Sequence, residues 1–318
     1  MRILLTGASS FTGYWFARTL LDQGHEVVAT FTGPASSYPA SDSRGLRYLR
    51  LAQLCECVHE TRFGDARFLR LLNAGTSFER VCHHGAQVSD YRCADYDVLA
   101  AVQANTRSLA QVLTCMAERG VGALVLSGSV FERGEGLGAS LTEAASPYGL
   151  AKSLTCDLFR FYAARYGVPL AKFVIPNPFG PLEEARFTAY LMREWLAGRT
   201  AEVRTPAYVR DNIHVELLAR AYAAFVTTTP VTDYHRLAPS GYIQTQGEFA
   251  ERVAAQMRPR LSADCALALA EQGLFVEPQV RINSDIPDAR RLGFDEARAW
   301  DRFAASYLER GAGPASAE

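Results

Sequence analysis

The sequence predicts an α/β protein with a Rossmann-type, doubly wound parallel sheet and a smaller C-terminal lobe intertwined with it. Three observations lead to this prediction. Short apolar runs alternate with amphipathic helical patterns through residues 2–176. The first apolar run ends in a glycine-containing turn that opens a helix. Beyond residue 176 the alternation gives way to shorter elements around a rigid Asn-Pro-Phe-Gly-Pro loop.

A βαβ unit is predicted over residues 2–31. An apolar strand is followed by Thr-Gly-Ala-Ser-Ser-Phe-Thr-Gly over residues 6–13, then by a helix and a second apolar strand. Gly7 permits a tight turn and Gly13 permits close packing of helix on strand, while Ser10 replaces the middle glycine of the usual pattern. Backbone amides at such a helix start bind a pyrophosphate. The unit therefore predicts a dinucleotide cofactor.

The end of the second predicted strand bears on which dinucleotide is bound. An acidic residue there would bind the ribose hydroxyls of NAD and repel the 2′-phosphate of NADP. This chain has Thr32 and Gly33 there, and Arg44 further on. We therefore expect NADP or NAD, with a slight preference for NADP.

Strand and helix patterns continue along the chain. The predicted elements are a helix over 63–72, a strand over 80–86, a long helix over 96–119, a strand over 123–126, a helix that carries Tyr148, and a strand over 170–175. The adjacent His83 and His84 would point to opposite faces of their strand, so they would not chelate a metal together. Ligands of such sheets bind at the carboxyl ends of the strands. We therefore expect one edge of the sheet to hold Gly7, Asp65, Gly85, Ser127 and Asn177.

The change of rhythm after residue 176 predicts two units. The first is a dinucleotide-binding domain over 1–176, with a returning segment near 209–240. The second is a substrate-binding lobe over 177–312, intertwined with the first.

Tyr148 and Lys152 lie four residues apart at the start of a helical pattern, and therefore on one face one turn apart. A free phenol titrates near pH ~10, and a neighbouring ammonium favours the phenolate and makes proton exchange with a hydroxyl feasible. Lys152 and Lys172 are the two lysines among 33 lysines and arginines. The pair alone is also compatible with an ordinary solvent-exposed helix face.

Composition excludes several classes of protein. A formal net charge of −1 with mixed signs disfavours a nucleic-acid partner. No run approaches ~18 apolar residues, so no membrane span is expected. The seven cysteines have no framework or zinc spacing, so neither disulfides nor a metal site are expected. We expect a cytoplasmic protein without a signal peptide.

Taken together, the landmarks resemble the extended short-chain dehydrogenase/reductase family, an epimerase/dehydratase group whose members modify nucleotide sugars. The matching residues are Thr6-Gly7 to Gly13, Asp65, His84-Gly85-Ala86, Asn105, Ser127, Tyr148 with Lys152, Asn177-Pro178-Phe179-Gly180-Pro181, and Arg210-Asp211 to His214-Val215. Their order and spacing along the chain favour the catalytic interpretation of Tyr148 and Lys152.

The resemblance implies a role for each matching position. Tyr148 is the acid/base, Lys152 lowers the pKa of Tyr148 and holds the nicotinamide ribose, and Ser127, or alternatively Ser129, bonds the reacting oxygen. Asp65 reaches the adenine, and Asn105 is structural. The cofactor-binding residues are Gly7, Ser9, Ser10, Phe11, Thr12, Gly13, Thr32, Asp65, Ala86, Asn105, Tyr148, Lys152 and Pro176. The substrate-binding residues are Ser127, Ser129, Asn177, Val203, Arg204 and Arg210.

The resemblance also narrows the reaction to hydride transfer at C4 of a nucleoside-diphosphate sugar. A 4,6-dehydratase needs a carboxylate pair just after the catalytic serine or threonine, where this chain has Gly128-Ser129. Epimerisation of the GDP-fucose-synthase type needs a cysteine and histidine pair, and no cysteine lies beside Ser127. A 4-epimerase and a 4-keto reductase remain.

Two other classes compete with this interpretation. One is an NADPH-dependent reductase of a small non-nucleotide carbonyl compound. The other is a non-catalytic NADP-sensing protein, which the intact Ser-Tyr-Lys set disfavours. The resemblance further implies a homodimer formed by the helices near 96–119 and 148–166.

Overall fold

The computed structural model describes residues 1–87, 95–138, 143–144, 146–228, 234–275 and 277–311. The strands of these residues are β1 (Arg2–Thr6), β2 (Glu26–Thr30), β3 (Glu56–Val58), β4 (Arg80–His83), β5 (Ala123–Ser129), β6 (Leu170–Ile175), β7 (Asn177–Phe179), β8 (Ala201–Val203), β9 (Val209–His214), β10 (Tyr234–Leu237), β11 (Tyr242–Thr245), β12 (Leu267–Leu269) and β13 (Val280–Arg281). Their helices are α1 (Phe11–Asp22), α2 (Ser43–Ala52), α3 (Ala66–Asn73), α4 (Val98–Asn105), α5 (Leu109–Glu118), α6 (Pro147–Tyr166), α7 (Phe187–Leu196), α8 (Val215–Thr228), α9 (Gln246–Leu261) and α10 (Glu296–Gly311).

Seven parallel strands form the main sheet in the order β10-β6-β5-β4-β1-β2-β3. Helices cover both faces, so neighbouring residues of β1 enter different cores. Leu5 belongs to the core that contains Phe16 and Tyr222, and Leu4 to the core that contains Phe159. Strands buried on both faces carry uninterrupted apolar runs. The predicted Rossmann-type, doubly wound fold is therefore confirmed.

The strand order reverses at β1, which has β2 on one side and β4 on the other. A crevice opens at such a point beyond the carboxyl ends of the strands. Gly7 has a φ of +74°, and a Cβ on it would lie 2.7 Å from the Gly85 backbone nitrogen. A residue with a side chain would therefore separate the two loops that flank the crevice.

The second lobe contains β9 flanked by β11, β13 and β7, together with the β8–β12 pair. Its core is formed by large side chains that include Phe179, Trp195, Phe249, Trp300 and Phe303. The chain also returns from this lobe to the main sheet. β10 pairs with β6 and α8 packs on α1. The boundary at residue 176 and the returning segment near 209–240 stay predictions, and the predicted end at 312 lies outside the described residues.

The long helix predicted over 96–119 is wrong, because α4 and α5 are separate helices. Ser108 between them has a left-handed φ of 48°. The Phe63-Gly64 loop packs against this break so closely that a Cβ on Gly64 would lie 1.8 Å from the Arg107 carbonyl oxygen. The other elements predicted above are present as α3, β4, β5, α6 and β6, and where a range was predicted its ends differ by at most three residues. In the part of the chain described here, no helix is both long and apolar enough to cross a membrane.

Candidate active site

The turn between β1 and α1 directs backbone amides toward the crevice. Ser10 is the N-cap of α1, and its Oγ accepts a hydrogen bond from the Gly13 amide (3.1 Å) and donates one to the Gly7 carbonyl (2.9 Å). A Cβ on Gly13 would lie 2.2 Å from that same carbonyl oxygen. Ser10 therefore replaces a glycine and caps the helix, while the helix start remains suited to a pyrophosphate.

A cavity of about 1270 Å³ runs from this turn along the carboxyl ends of the strands into the second lobe. A single small-molecule site typically measures about 300–1,000 Å³, so this cavity has room for a cofactor and a substrate side by side. The predicted site residues that line it are Gly7, Ser9, Ser10, Phe11, Thr12, Thr32, Ala86, Asn105, Ser127, Ser129, Tyr148, Lys152, Pro176, Asn177 and Arg210.

Tyr148 enters the cavity from the first turn of α6. The Ser146 hydroxyl caps this helix by accepting a hydrogen bond from the Gly149 amide (3.1 Å). Gly149 allows the helix to pack against the β5 turn, because a Cβ there would lie 2.0 Å from the Phe131 carbonyl oxygen. The Tyr148 ring makes edge contacts with Tyr96 and Phe131, with centroids 6.2 and 6.3 Å apart.

Lys152 lies one turn further along α6 and is only 5% exposed. Its Nζ donates to the Ser127 carbonyl oxygen at 2.5 Å, which ties α6 to the end of β5. Burial lowers the pKa of Lys152, and the Glu132 carboxylate partly offsets this effect. The structure therefore brings the ammonium and the predicted catalytic serine together.

The two candidate serines differ in their partners. The Ser129 hydroxyl accepts a hydrogen bond from the Phe131 amide (3.3 Å), and its own amide donates to Glu132 (2.7 Å). The Ser127 hydroxyl instead lies 2.8 Å from Nδ1 of His84. Both serines line the cavity, so the choice of Ser127 over Ser129 stays a prediction.

Lys172 lies beneath the site in a buried charged cluster. Its Nζ is 2.5 Å from Glu132 and 2.9 Å from Glu135, and Glu135 also receives Arg236. These carboxylates raise the pKa of Lys172, although burial acts in the opposite direction. A Cβ on Gly128 would lie 2.5 Å from Lys172 Cε. A side chain at the position after Ser127 would therefore require Lys172 to move.

A pair of arginines lies at the lobe end of the cavity. Arg210 on β9 and Arg281 on β13 share the Glu277 carboxylate, with N–O distances of 3.3 and 2.6 Å. Their guanidinium groups stack on Tyr208 and Phe131 at 4.3 and 3.8 Å from the ring centroids. Burial and the neighbouring Arg281 lower the pKa of Arg210 to about 10, so Arg210 stays charged at neutral pH.

A family model described as the NAD dependent epimerase/dehydratase family matches residues 3–234. This stretch is more than half of the chain and contains the glycine turn, Ser127, Tyr148, Lys152 and Arg210. The chain belongs to this family. The resemblance to extended short-chain dehydrogenases is thereby confirmed, and this epimerase/dehydratase-family member is an enzyme.

Solved structures of similar fold cover nearly the whole chain. UDP-glucuronic acid 4-epimerase from Bacillus cereus, in complex with UDP-glucuronic acid and NAD, is 16% identical with a TM-score of 0.74, covering 98% of this chain and 100% of that one. UDP-glucose 4-epimerase from Thermotoga maritima, with UDP-glucose, is 18% identical with a TM-score of 0.72, covering 98% and 99%. The dTDP-glucose 4,6-dehydratase DesIV from Streptomyces venezuelae, with NAD, is 20% identical with a TM-score of 0.71, covering 98% of each chain. Comparison with curated proteins finds no match.

Four predicted site residues of this epimerase/dehydratase-family chain do not line the cavity: Gly13, Asp65, Val203 and Arg204. Asp65 caps α3, since its two carboxylate oxygens accept hydrogen bonds from the Phe68 and Arg62 amides (both 2.8 Å). Its neighbour Arg62 lines the cavity instead. Contact of Asp65 with an adenine stays a prediction.

Val203 and Arg204 lie away from the cavity for different reasons. The Val203 side chain is buried in the core of the second lobe. The Arg204 side chain is 83% exposed and pairs with Glu202 at 3.2 Å. Thr205, the next residue, is the one that lines the cavity. The structure therefore does not support substrate contacts from these two side chains.

Several cavity residues were absent from the predicted site. Arg44 on α2 donates to Ser9 Oγ (3.2 Å), and the sequence indicates it only as a basic residue after the second strand. Arg281 and Glu277 lie in a region without a recognised motif, so no sequence signal indicated them. His84 matches the family pattern, but the resemblance implies no role for it. Within the described residues, no group of three or more His, Cys, Asp or Glu side chains is arranged to hold a metal ion.

Proposed function

We propose that this enzyme is an NAD(P)-dependent oxidoreductase that transfers hydride at C4 of a nucleoside-diphosphate sugar, with Tyr148 as the acid/base. One observation carries the proposal: a single cavity holds the glycine turn, Ser127, Tyr148 and Lys152, and the Arg210 end. UDP-glucuronic acid and UDP-glucose in structures of the same fold make a nucleotide sugar the first candidate substrate.

Each group of residues has a distinct task in this proposal. A bound nicotinamide supplies the hydride chemistry. Tyr148 exchanges a proton with the C4 oxygen, and the Ser127 hydroxyl donates a hydrogen bond to that oxygen. Lys152 supplies positive charge close to both. Arg210 and Arg281 offer planar donor groups to the diphosphate.

The charge of the cavity supports ligands with several phosphates. Its lining includes two acidic side chains, Glu184 and Glu277. The arginines in the lining are Arg44, Arg62, Arg107, Arg186, Arg210 and Arg281. The chain as a whole has a formal net charge of −1, so positive charge is concentrated here. A positively charged cleft raises the local concentration of anionic ligands.

The surroundings of Ser127 support a reaction without elimination. A 4,6-dehydratase needs a carboxylic acid just after the catalytic residue, and Lys172 fills the space beside Gly128. We therefore propose a 4-epimerase or a 4-keto reductase.

Incubation with UDP-, dTDP-, GDP- and CDP-sugars tests the function, with NMR of the products and mass spectrometry of the co-purified cofactor. Bound NAD with a C4-inverted product indicates an epimerase, and NADPH consumption indicates a reductase. The proposal would be refuted if every nucleotide sugar gave neither a C4-inverted product nor NADPH consumption.

Arg44 supports a preference for NADP. Its guanidinium lies over the Tyr38 ring (5.1 Å) and beside Ser9, and it lines the cavity together with Thr32. A guanidinium at this position could bind the 2′-phosphate, whereas the structures of similar fold were solved with NAD.

Titration of cofactor affinities tests this preference. We expect Arg44→Leu to weaken NADP binding about tenfold or more while NAD binding stays the same, since hydrogen bonds to charged groups contribute about 1.5–3 kcal/mol. Arg50→Leu, on the last turn of the same helix, is the matched control and should change neither affinity. Equal or tighter binding of NAD by the unmodified enzyme would contradict the NADP preference.

One observation favours a second candidate, the reductase of a small non-nucleotide carbonyl. Nη1 of Arg210 already donates to the Val209, Pro278 and Gln279 carbonyls, and its Nη2 pairs with Glu277. Competition experiments with UDP, dTDP, GDP and CDP distinguish the candidates. Micromolar binding of one nucleotide supports the sugar substrate, and binding of none supports the small carbonyl.

We also propose a homodimer formed through α4 and α6. Leu99 on α4 is 77% exposed and Phe161 on α6 is 62% exposed, with Leu158 on the same face. Light scattering should give a dimer that Phe161→Asp converts to a monomer, while Leu308→Asp on α10 leaves it a dimer. A monomeric unmodified enzyme would contradict this interface.

A cytoplasmic location is part of the proposal, because the six described cysteines are free thiols.

A further inference from the structure

His84 lies between the glycine turn at residues 6–13, called the cofactor turn below, and Ser127, the predicted catalytic serine. Its Nδ1 is 2.8 Å from Ser127 Oγ, and its Nε2 is 3.0 Å from both Ser10 Oγ and Thr12 Oγ1. The Phe16 ring packs edge-on against the imidazole, with centroids 5.1 Å apart. One side chain therefore connects the N-terminus of α1 with the end of β5.

The imidazole of His84 is neutral at physiological pH. Burial, together with the nearby Lys152 ammonium, lowers the pKa of His84 to about 3. A neutral imidazole carries one proton, so one nitrogen donates and the other accepts. The choice of nitrogen decides which way the Ser127 hydroxyl points.

The hydroxyl protons around His84 constrain this choice. The Ser10 hydroxyl can donate to the Gly7 carbonyl (2.9 Å) or to Nε2 of His84 (3.0 Å), and its bond to the carbonyl leaves Thr12 as the donor to the imidazole. If Nε2 carries the proton, Nδ1 must accept the proton of Ser127, and Ser127 has nothing left to donate. If Nδ1 carries the proton, Ser127 accepts it and keeps its own proton for an oxygen in the cavity. The second arrangement requires a donor at Nε2, and Thr12 can supply it.

We propose that His84 is a positioning residue held in the Nδ1–H tautomer by the Thr12 hydroxyl, so that Ser127 directs its proton at the reacting oxygen of the substrate. The inference rests on the proposed function, because Ser127 contacts the substrate there. It also connects the cofactor turn with the reacting centre, since Thr12 belongs to that turn and lines the same cavity.

The adjacent histidine provides an internal reference. Nε2 of His83 lies 3.1 Å from the Asn105 carbonyl, which can only accept, so His83 must carry its proton on Nε2. Nδ1 of His83 then accepts from Thr6 Oγ1 at 2.9 Å. Two consecutive histidines are thus expected to hold opposite tautomers.

Nitrogen-15 NMR of the full chain with labelled histidines tests the tautomers directly. The signal of His84 is assigned by its loss in His84→Gln. We expect Nε2–H for His83 and Nδ1–H for His84 in the unmodified protein. Thr12→Val should convert His84 to Nε2–H, and Thr12→Ser should keep Nδ1–H. An Nε2–H tautomer of His84 in the unmodified protein would overturn the proposal. This result needs no turnover, so it stays separate from any failure of the proposed function.

Kinetics then distinguish positioning from a structural role. We expect Thr12→Val to lower kcat roughly tenfold, the size of one lost hydrogen bond, with substrate KM nearly unchanged. Thr12→Ser should regain most of that loss. Cofactor affinity is measured for each variant, because Thr12 lies in the cofactor turn. A Thr12→Val enzyme with weaker cofactor binding and an unchanged kcat would refute the positioning role.

Discussion

At the sheet end of the cavity, the reactive groups lie on strand and helix ends and bond one another. At the lobe end, two arginines share the carboxylate of a loop residue. Lys152 is tied to the Ser127 carbonyl, and Ser127 to His84. Arg210 and Arg281 instead converge on Glu277, whose side chain is 41% exposed.

This difference has a chemical meaning. The sheet end is built before any ligand arrives, as expected for groups that must hold a proton donor and acceptor in fixed geometry. At the lobe end, the Glu277 carboxylate neutralises the arginines, a task that falls to the diphosphate in the proposed function. In that proposal, binding exchanges one anion for another. Substitutions at the sheet end should therefore change kcat, and those at the lobe end should change binding.

The largest effect should come from Tyr148→Phe at the sheet end. Loss of the acid/base should lower kcat about 10³-fold, within the range usual for positioned proton transfer. Cofactor affinity should stay within about threefold, because little packing changes. Steady-state kinetics and cofactor titration measure the two quantities. Tyr162→Phe on the same helix is the control. Full turnover by Tyr148→Phe would remove Tyr148 from the mechanism, and an unmodified enzyme that binds NADP without turnover would support the sensor alternative.

At the lobe end, Arg210→Leu should weaken nucleotide binding about tenfold to a hundredfold, because charge-assisted hydrogen bonds contribute about 1.5–3 kcal/mol. The value of kcat should change little. Calorimetry with the nucleoside diphosphate measures the loss, and retained cofactor binding reports that the fold is intact. Arg204→Leu is the matched control, since Arg204 is exposed outside the cavity. Equal affinities of the two variants would place the nucleotide elsewhere.

The sequence predicted the two ends of the site unequally, and the reasons are physical. The sheet end was predictable because Gly7 and Ser127 lie at the ends of apolar runs, and the Tyr148 helix is the next element after the second of these strands. Val203 and Arg204 were assigned by resemblance alone, and only tertiary packing determines that one is buried and the other exposed. The Glu277–Arg281 pair depends on strand β13, which is two residues long and has no pattern of its own. The role of His84 was not predictable, because its hydroxyl partners lie far from it in the sequence.

Glu277→Gln should change nucleotide affinity in the opposite direction to Arg210→Leu, and by a smaller factor. Removal of the carboxylate makes the groups that pair with it, Nη2 of Arg210 and Nη1 of Arg281, available to a diphosphate. Nucleotide affinity should therefore rise about threefold to fivefold, the scale of a partly exposed ion pair. Glu184→Gln, the other acid of the lining, should leave this affinity unchanged. Titration at low and high salt measures both. Weaker binding by Glu277→Gln would mean that Glu277 contacts the ligand rather than standing in its place.

Glu183, after β7, is an exception to the difference between the two ends, because it lies on the lobe side but is buried and hydrogen-bonded without any ligand. Burial raises the pKa of Glu183 to about 7, although hydrogen bonds from Thr188, Tyr307 and the Gly180 amide oppose this. A folded-state pKa above the unfolded value favours the protonated protein. The contribution of Glu183 to stability is therefore complete below about pH 4.5 and is lost as pH rises through about 7, by up to about 3 kcal/mol. The free energy of unfolding, measured with urea from pH 5 to 8, should rise for Glu183→Gln relative to the unmodified protein as pH rises. For the exposed Glu202→Gln, the difference from the unmodified protein should stay constant. A constant difference for Glu183→Gln across this range would mean that Glu183 is ionised throughout, and that the lobe end tolerates a buried charge as the sheet end does around Lys172.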